Sequence, residues 1–491
     1  MRFRTIAVAT ATVSALALST AAEAHQQVDR RLLRMLRDVP ASEIPDRPGR
    51  IRKGRDLFLN ETFGGNGRTC GTCHMPTENF ALNAADIARR PQSDPLFVAE
   101  NVPALAGLEN PQLMRQFGLI LENLDGFGNP GVMRGVPHTL GLRRSIQPDI
   151  AGNFPLVNAL GLSGDGSPND GSLNNFALGA IVQHFPRSLS RQPGIDFRLP
   201  TRQELRAMAD FQLSLGRQSD PRIDGTNGTP IVFADSQVES GKQLFITAPA
   251  RNGMRSCNAC HGNAGALDAN GGNRQRDTGT AQALNAPVCR GNAPGDGGFG
   301  ISPVREIPVE SICSSPLTPG VMVVFRGNGT MNTPSLVEAA DTEPFFHNNS
   351  AATLEDSIRH YTSAAFAQSP AGGNNPFVLD DTQVNEIGAF LRAVNAMENV
   401  RNGIAVDRRA LSEPNRLAIP SVREALSETQ DAIRVIQQAQ LPIYQDTRIV
   451  PLLQEAAEAE TAAISANPAR RRSHLAVAIS RKTAAQDLFT R

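Results

Sequence analysis

The 491 residues contain no tryptophan, two tyrosines and six cysteines, and Lys+Arg and Asp+Glu both number 48. With no excess charge of either sign, no global field favours nucleic acid or an acidic membrane surface, which argues against a nucleic-acid partner. Past the N-terminus no apolar run approaches the roughly 20 residues that a bilayer-spanning helix needs. The mature chain is therefore expected to have no membrane span. What is present is a 40% hydrophobic composition, ample for two globular domains with their own cores.

The N-terminus has the order of a secretory signal. Arg2 and Arg4 are followed by an apolar run from Ile6 to about Leu18, and Ala22-Glu23-Ala24 offers an A-x-A cleavage site before His25. Residues 1–24 are expected to be removed on export to the periplasm.

Four of the six cysteines fall in two motifs, Cys70-Gly71-Thr72-Cys73-His74 and Cys257-Asn258-Ala259-Cys260-His261. Two thiols at this spacing can add to the two vinyl groups of one porphyrin, and the adjacent His then reaches the iron from the proximal side. Zinc would ask for four ligands from paired Cys or Cys/His motifs close together, and each motif here stands alone. Two covalently bound c-type haems are the reading, held by Cys70, Cys73 and His74 and by Cys257, Cys260 and His261. The remaining pair, Cys289 and Cys313, lies in a Gly/Asn/Pro-rich stretch and is expected to form a disulfide in an oxidising compartment; the alternative is two buried thiols.

The chain also repeats itself. Gly54-Arg55-Asp56-Leu57-Phe58 stands sixteen residues before Cys70, and Gly241-Lys242-Gln243-Leu244-Phe245 sixteen before Cys257. Each unit closes on an amphipathic helix, one from Glu204 with Thr201 and Glu204 placed as a capping box, the other over Val384–Val394. The predicted architecture is mainly α: two cytochrome c-like haem domains, 25–218 and 228–400, with long irregular loops. Ser219–Asn227 reads as a linker. Residues 266–320 read as a long loop. Beyond 401, helical spacing at Val422, Leu426, Ile433 and Ile436, and again at Leu475, Ile479 and Phe489, predicts a helical extension that wraps the domains or mediates assembly.

Thr353 and Asp356 are spaced as a helix N-cap, which puts Leu354, Ile358 and Tyr361 on one face and His360 roughly 100° away. Such a tyrosine is either a core residue with its hydroxyl on a carbonyl or a group aimed at the haem. From Pro334 to Tyr361 the sequence resembles, without a gap, the C-terminal domain of bacterial di-haem cytochrome c peroxidases and the related MauG-type enzymes. The resemblance covers roughly residues 45–400. It implies that Tyr361 ligates the second haem opposite His261; Met331, seventy residues after His261, is the rival read from the sequence itself. It implies too that electrons from a donor cytochrome or cupredoxin enter at the second haem and pass to the first, which binds hydrogen peroxide or oxygen. A calcium ion between the domains is also implied, with Thr342 and Pro344 matching two carbonyl donors and Gly135 standing where the family has Asn.

In the first domain, Gly161–Gly166 and Phe176–His184 are similar to the family's distal segment. The family's distal Gln and Glu fall near Phe176 and Pro186, so its usual acid/base is missing, and no tryptophan is available to relay electrons. Peroxide cleavage needs a group that takes a proton from one oxygen and returns it to the other. His184, Gln183 and His138 are the candidates; either histidine could instead be an axial ligand or a structural residue. A pure electron-transfer cytochrome, a di-haem oxygenase and a MauG-type protein-modifying enzyme are the alternative functions.

Overall fold

The computed structural model describes residues 35–36, 46–123, 127, 131–145, 173–225, 228–247, 256–268, 273, 275–280, 295–296, 305–308, 322–326, 329 and 331–491. The signal segment, Gly161–Gly166, Cys289 and Cys313 lie outside them. The fold is mainly helical. Its principal helices are α1 Arg47–Asn60, α2 Leu173–His184, α3 Arg202–Gln212, α4 Ser236–Thr247, α5 Leu354–His360, α6 Asp381–Ser412, α7 Asn415–Gln437, α8 Ile449–Ser465 and α9 Pro468–Gln486.

The repeated Gly-x-x-Leu-Phe segments end two helices that cross two others in the same way. At Gly54, α1 lies so close to α3 that a Cβ would sit 1.9 Å from the Ala207 carbonyl oxygen. At Gly241, α4 meets α6 just as closely, 1.8 Å from the Glu386 carbonyl oxygen. Only glycine lets the backbones approach this far. The Phe of each segment then packs on a Phe four residues along the partner helix, Phe58 on Phe211 at 5.4 Å and Phe245 on Phe390 at 5.3 Å. Helix α2 packs against α3 as α5 packs against α6. The expected caps form: Thr201 and Glu204 exchange hydrogen bonds of 2.8 and 3.1 Å, and Thr353 Oγ1 accepts from the Asp356 N–H at 3.1 Å.

Strands were not part of the sequence expectation. β1 Leu119–Glu122 and β2 Val132–Gly135 form an antiparallel hairpin of the first unit. β4 Gly295–Asp296 adds to β2 in parallel, and β6 Met322–Arg326 follows, paired antiparallel with β5 Arg305–Pro308. The stretch expected to be only a loop thus contributes strands to a five-stranded sheet shared by both units. A two-stranded ribbon pairs β3 Gln275–Arg276 with β7 Met331–Asn332. The linker is also pinned: Asp220 pairs with Arg217 and Arg144, both at 2.9 Å, and the Ile223 N–H donates to Asn263 Oδ1 at 2.9 Å.

The boundary expected near residue 400 falls inside α6, which continues for 32 residues from the second unit into the extension. There α6, α7, α8 and α9 close into a ring of four packed helices. Its core holds an ion triad with no exposed side chain: Lys482 Nζ lies 2.7 Å from Asp407 Oδ2 and 2.6 Å from Glu460 Oε1. The bundle also grips the first unit, through Arg55–Glu424 at 3.2 Å, Ser427 Oγ on the Thr77 carbonyl at 2.9 Å and Asn79 Nδ2 on Asp431 at 3.0 Å.

Candidate functional site

Both Cys-x-x-Cys-His motifs begin in short helical turns, Cys70–Thr72 and Cys257–Cys260. In each, the histidine Nδ1 is hydrogen-bonded to a backbone carbonyl. His74 Nδ1–H donates to the Phe80 carbonyl at 2.7 Å, and His261 Nδ1–H donates to the Pro334 carbonyl at 2.9 Å. A carbonyl can only accept, so this fixes the tautomer and leaves the lone pair on Nε2, as a metal-binding imidazole requires. Burial pushes both imidazoles down to about 4, which keeps them neutral at physiological pH. Cys70, Cys73 and Cys257 stand outside any disulfide. Burial raises these thiols to about 12, 11 and 12, so they are poor thiolate ligands but need no charge to form thioethers. Among the described residues no three His, Cys, Asp or Glu side chains converge as a closed metal site. A porphyrin supplies four ring nitrogens and asks the protein only for axial groups, so the residues fit a covalent haem at each motif.

Around the first motif, Cys70 packs with Leu57, Ala177, Ile181 and Phe185, and Cys73 with Leu82, Met114 and Ile120. Beside them lies a buried charged group that spacing gave no means of finding. His184 Nε2 meets Glu122 Oε1 at 3.1 Å, and its Nδ1 lies 3.8 Å from Glu109 Oε1, beyond hydrogen-bond reach. Glu109 has no exposed side-chain surface; it is paired with Arg68 at 2.7 Å and accepts the Leu121 N–H at 2.9 Å. Burial alone would lower the His184 imidazole, but Glu122 and then Glu109 outweigh it and lift it to about 9. Burial would raise Glu109; Arg68 and His184 hold it below the ordinary carboxylate range. His184 therefore carries its proton at neutral pH.

Gln183 is spent on the Leu121–Asn123 segment. Its Oε1 accepts the Asn123 N–H at 3.2 Å, and its Nε2 donates to Asn123 Oδ1 at 2.9 Å. His138 lies at the junction of the two units. Burial depresses it, and its closest charged neighbours are Glu338 and Arg217.

The two tyrosines have different surroundings. Tyr444 is a structural one, its hydroxyl donating to the Phe489 carbonyl at 3.2 Å. Tyr361 caps α5 inside an aromatic cage, 5.0 Å from Phe366 and 6.2 Å from Phe377, and its hydroxyl meets no hydrogen-bond partner among the described residues. Burial pushes this phenol up, and the thiols of Cys257 and Cys260 beside it add to the shift. His360 is a satisfied structural residue, its Nε2–H donating to the Thr278 carbonyl at 2.8 Å. Met331 sits in β7, three residues before the carbonyl that holds His261.

At the position where the resemblance expects a calcium-binding Asn, Gly135 packs against Asn349. A Cβ at Gly135 would sit 2.2 Å from Asn349 Oδ1, and that amide is itself tied down, donating to the Phe117 carbonyl at 2.7 Å. Compared with known proteins, the chain matches no protein-family model and no curated protein sequence.

Proposed function

We propose that this chain is an exported di-haem c-type oxidoreductase that takes electrons from a small donor protein, a cytochrome or cupredoxin, and reduces hydrogen peroxide. The observation that carries the reading is the residue that follows two corresponding helices. Helix α2 ends in Gln183-His184 and is followed by Phe185; α5 ends in Arg359-His360 and is followed by Tyr361. The N–H of each bonds back to the preceding turn, Phe185 to Ile181 and Tyr361 to Ile358, both at 3.1 Å. A phenol can ligate ferric iron and a phenyl ring cannot. Tyr361 would therefore offer a bound haem at the second motif an oxygen ligand, and Phe185 would offer none at the first.

Haem bound at these sites supplies the redox chemistry, storing electrons at the second and reducing a small oxidant at the first. Hydrogen peroxide takes two electrons and two protons to give two waters, so the protein must deliver protons as well. His184, protonated between Glu122 and Glu109, is a proton donor close enough to His74 to lower its basicity. Arg68 keeps Glu109 ionised, which keeps the imidazole charged. The apolar wall of Ala177, Ile181 and Phe185 excludes water. Intact mass of the exported protein should show two haem additions; one or none would refute the reading.

The proton on His184 sets a pH signature. Its pKa is raised above the unfolded value of about 6.5, so it contributes stability that is present in full below about 6.5 and lost as pH rises through about 9. Peroxide turnover should likewise hold to near pH 9 and fall above it. In Glu122→Gln the alkaline fall should move at least one unit toward neutrality, and an unshifted pH–rate profile would remove His184 from this role.

A further inference from the structure

Between the two motifs lies a buried polar cluster that the proposed chemistry has not used. Arg217, at the end of the first unit, and Glu338, from the second, form an ion pair with side chains only 2% and 1% exposed. Ser335 Oγ donates to the same Glu338 oxygen at 3.3 Å, and Ser335 follows Pro334, whose carbonyl holds His261. On the other side Glu338 faces His138, which is close enough to His74 to depress its basicity. Glu338 is thus linked to His74 through His138 and to His261 through Ser335 and Pro334. The first unit makes room for it: Gly141 and Gly216 have positive φ, and a Cβ on either would lie 3.2 Å from Glu338 Oε1. Three buried polar atoms here have no hydrogen-bond partner: Glu338 Oε1, Arg217 Nη2 and His138 Nδ1.

A native core does not ordinarily leave such atoms together unless something else meets them. Burial alone would raise the Glu338 carboxyl; Arg217 outweighs it, and the group is held ionised. A fixed charge in a medium shielded from solvent acts on both irons. A unit charge about 10 Å away at an effective dielectric near 20 shifts a one-electron equilibrium by about tenfold.

We propose that Glu338 and Arg217 are positioning residues that set the reduction potentials of the two haem sites, Glu338 favouring the ferric and Arg217 the ferrous state. The inference rests on the di-haem reading. Its test is spectroelectrochemical titration of the haem-loaded protein, with haem content measured in the same samples. Glu338→Gln is nearly isosteric and should shift at least one haem about tenfold toward the ferrous form, 59 mV upward. Arg217→Gln should shift it by a similar factor the opposite way. A double Met variant removes both charges without stranding either, so it should fold and return close to the parent value. Shifts of the same sign, or none, in the two single variants would overturn the proposal. A protein without haem c would overturn the di-haem reading, and this inference with it.

Discussion

On the di-haem reading, Phe185→Tyr is expected to close the first site to added ligands. The variant places a phenol at the position in the first unit that corresponds to Tyr361 in the second, and a phenolate on ferric iron excludes other ligands. Cyanide should bind one haem stoichiometrically in the parent protein and none in Phe185→Tyr. Tyr361→Phe should do the reverse and open a second cyanide site. The added hydroxyl enters a wall that is 3% exposed at Phe185. Without a partner it costs about 1–3 kcal/mol, and iron ligation offsets that cost. Phe185→Leu controls for lost packing and should leave cyanide binding intact. Undiminished binding in Phe185→Tyr would show that the two positions do not correspond.

The largest effect on stability is expected at Lys482. Replacing it with Met leaves Asp407 and Glu460 facing each other with no cation, and both are fully buried. Breaking a buried pair in this way costs about 3–5 kcal/mol, a large share of the about 5–15 kcal/mol that folded proteins have in total. The loss should also depend on pH. Burial pushes Glu460 up to about 7, Lys482 opposing and Asp407 adding. A carboxyl raised above its unfolded value destabilises when it ionises, so stability falls as pH rises from about 4 through about 7. Lys482→Met should therefore melt far below the parent at pH 8 and less far below it at pH 5. Adding Asp407→Asn and Glu460→Gln should recover most of the difference. Equal melting temperatures at pH 8 would mean that the triad contributes nothing.

The features legible in the sequence are those written over short spans. Cys-x-x-Cys-His is five residues long, and Gly-x-x-Leu-Phe sits at a fixed distance before it. The helix caps at Thr201 and Thr353 are four-residue signals, and all of them appear in the fold. What could not be read depends on chain segments far apart. Arg68, Glu109 and Glu122 carry no spacing relation to His184, and only β1 and the packing of α2 bring them together. Glu338 and Arg217 are 121 residues apart. The sheet was hidden because its strands are short and scattered among Gly- and Pro-rich segments. One signal was present in the sequence, though subtle. Gln183-His184-Phe185 set beside Arg359-His360-Tyr361 differs at its last position by a single hydroxyl.

Helix α6 has no joint. At about 1.5 Å per residue its 32 residues form a rod about 48 Å long. One end carries Phe390 against Phe245 in the core beside Cys257, and the other carries Asp407 into the bundle triad. Heat cannot fray one end without withdrawing support from the other, so the bundle and the second unit share one cooperative transition. A chain severed at residue 400 would lose the part of the rod that includes Gly403, Ile404 and Asp407, and with it the lever by which the bundle braces the second site.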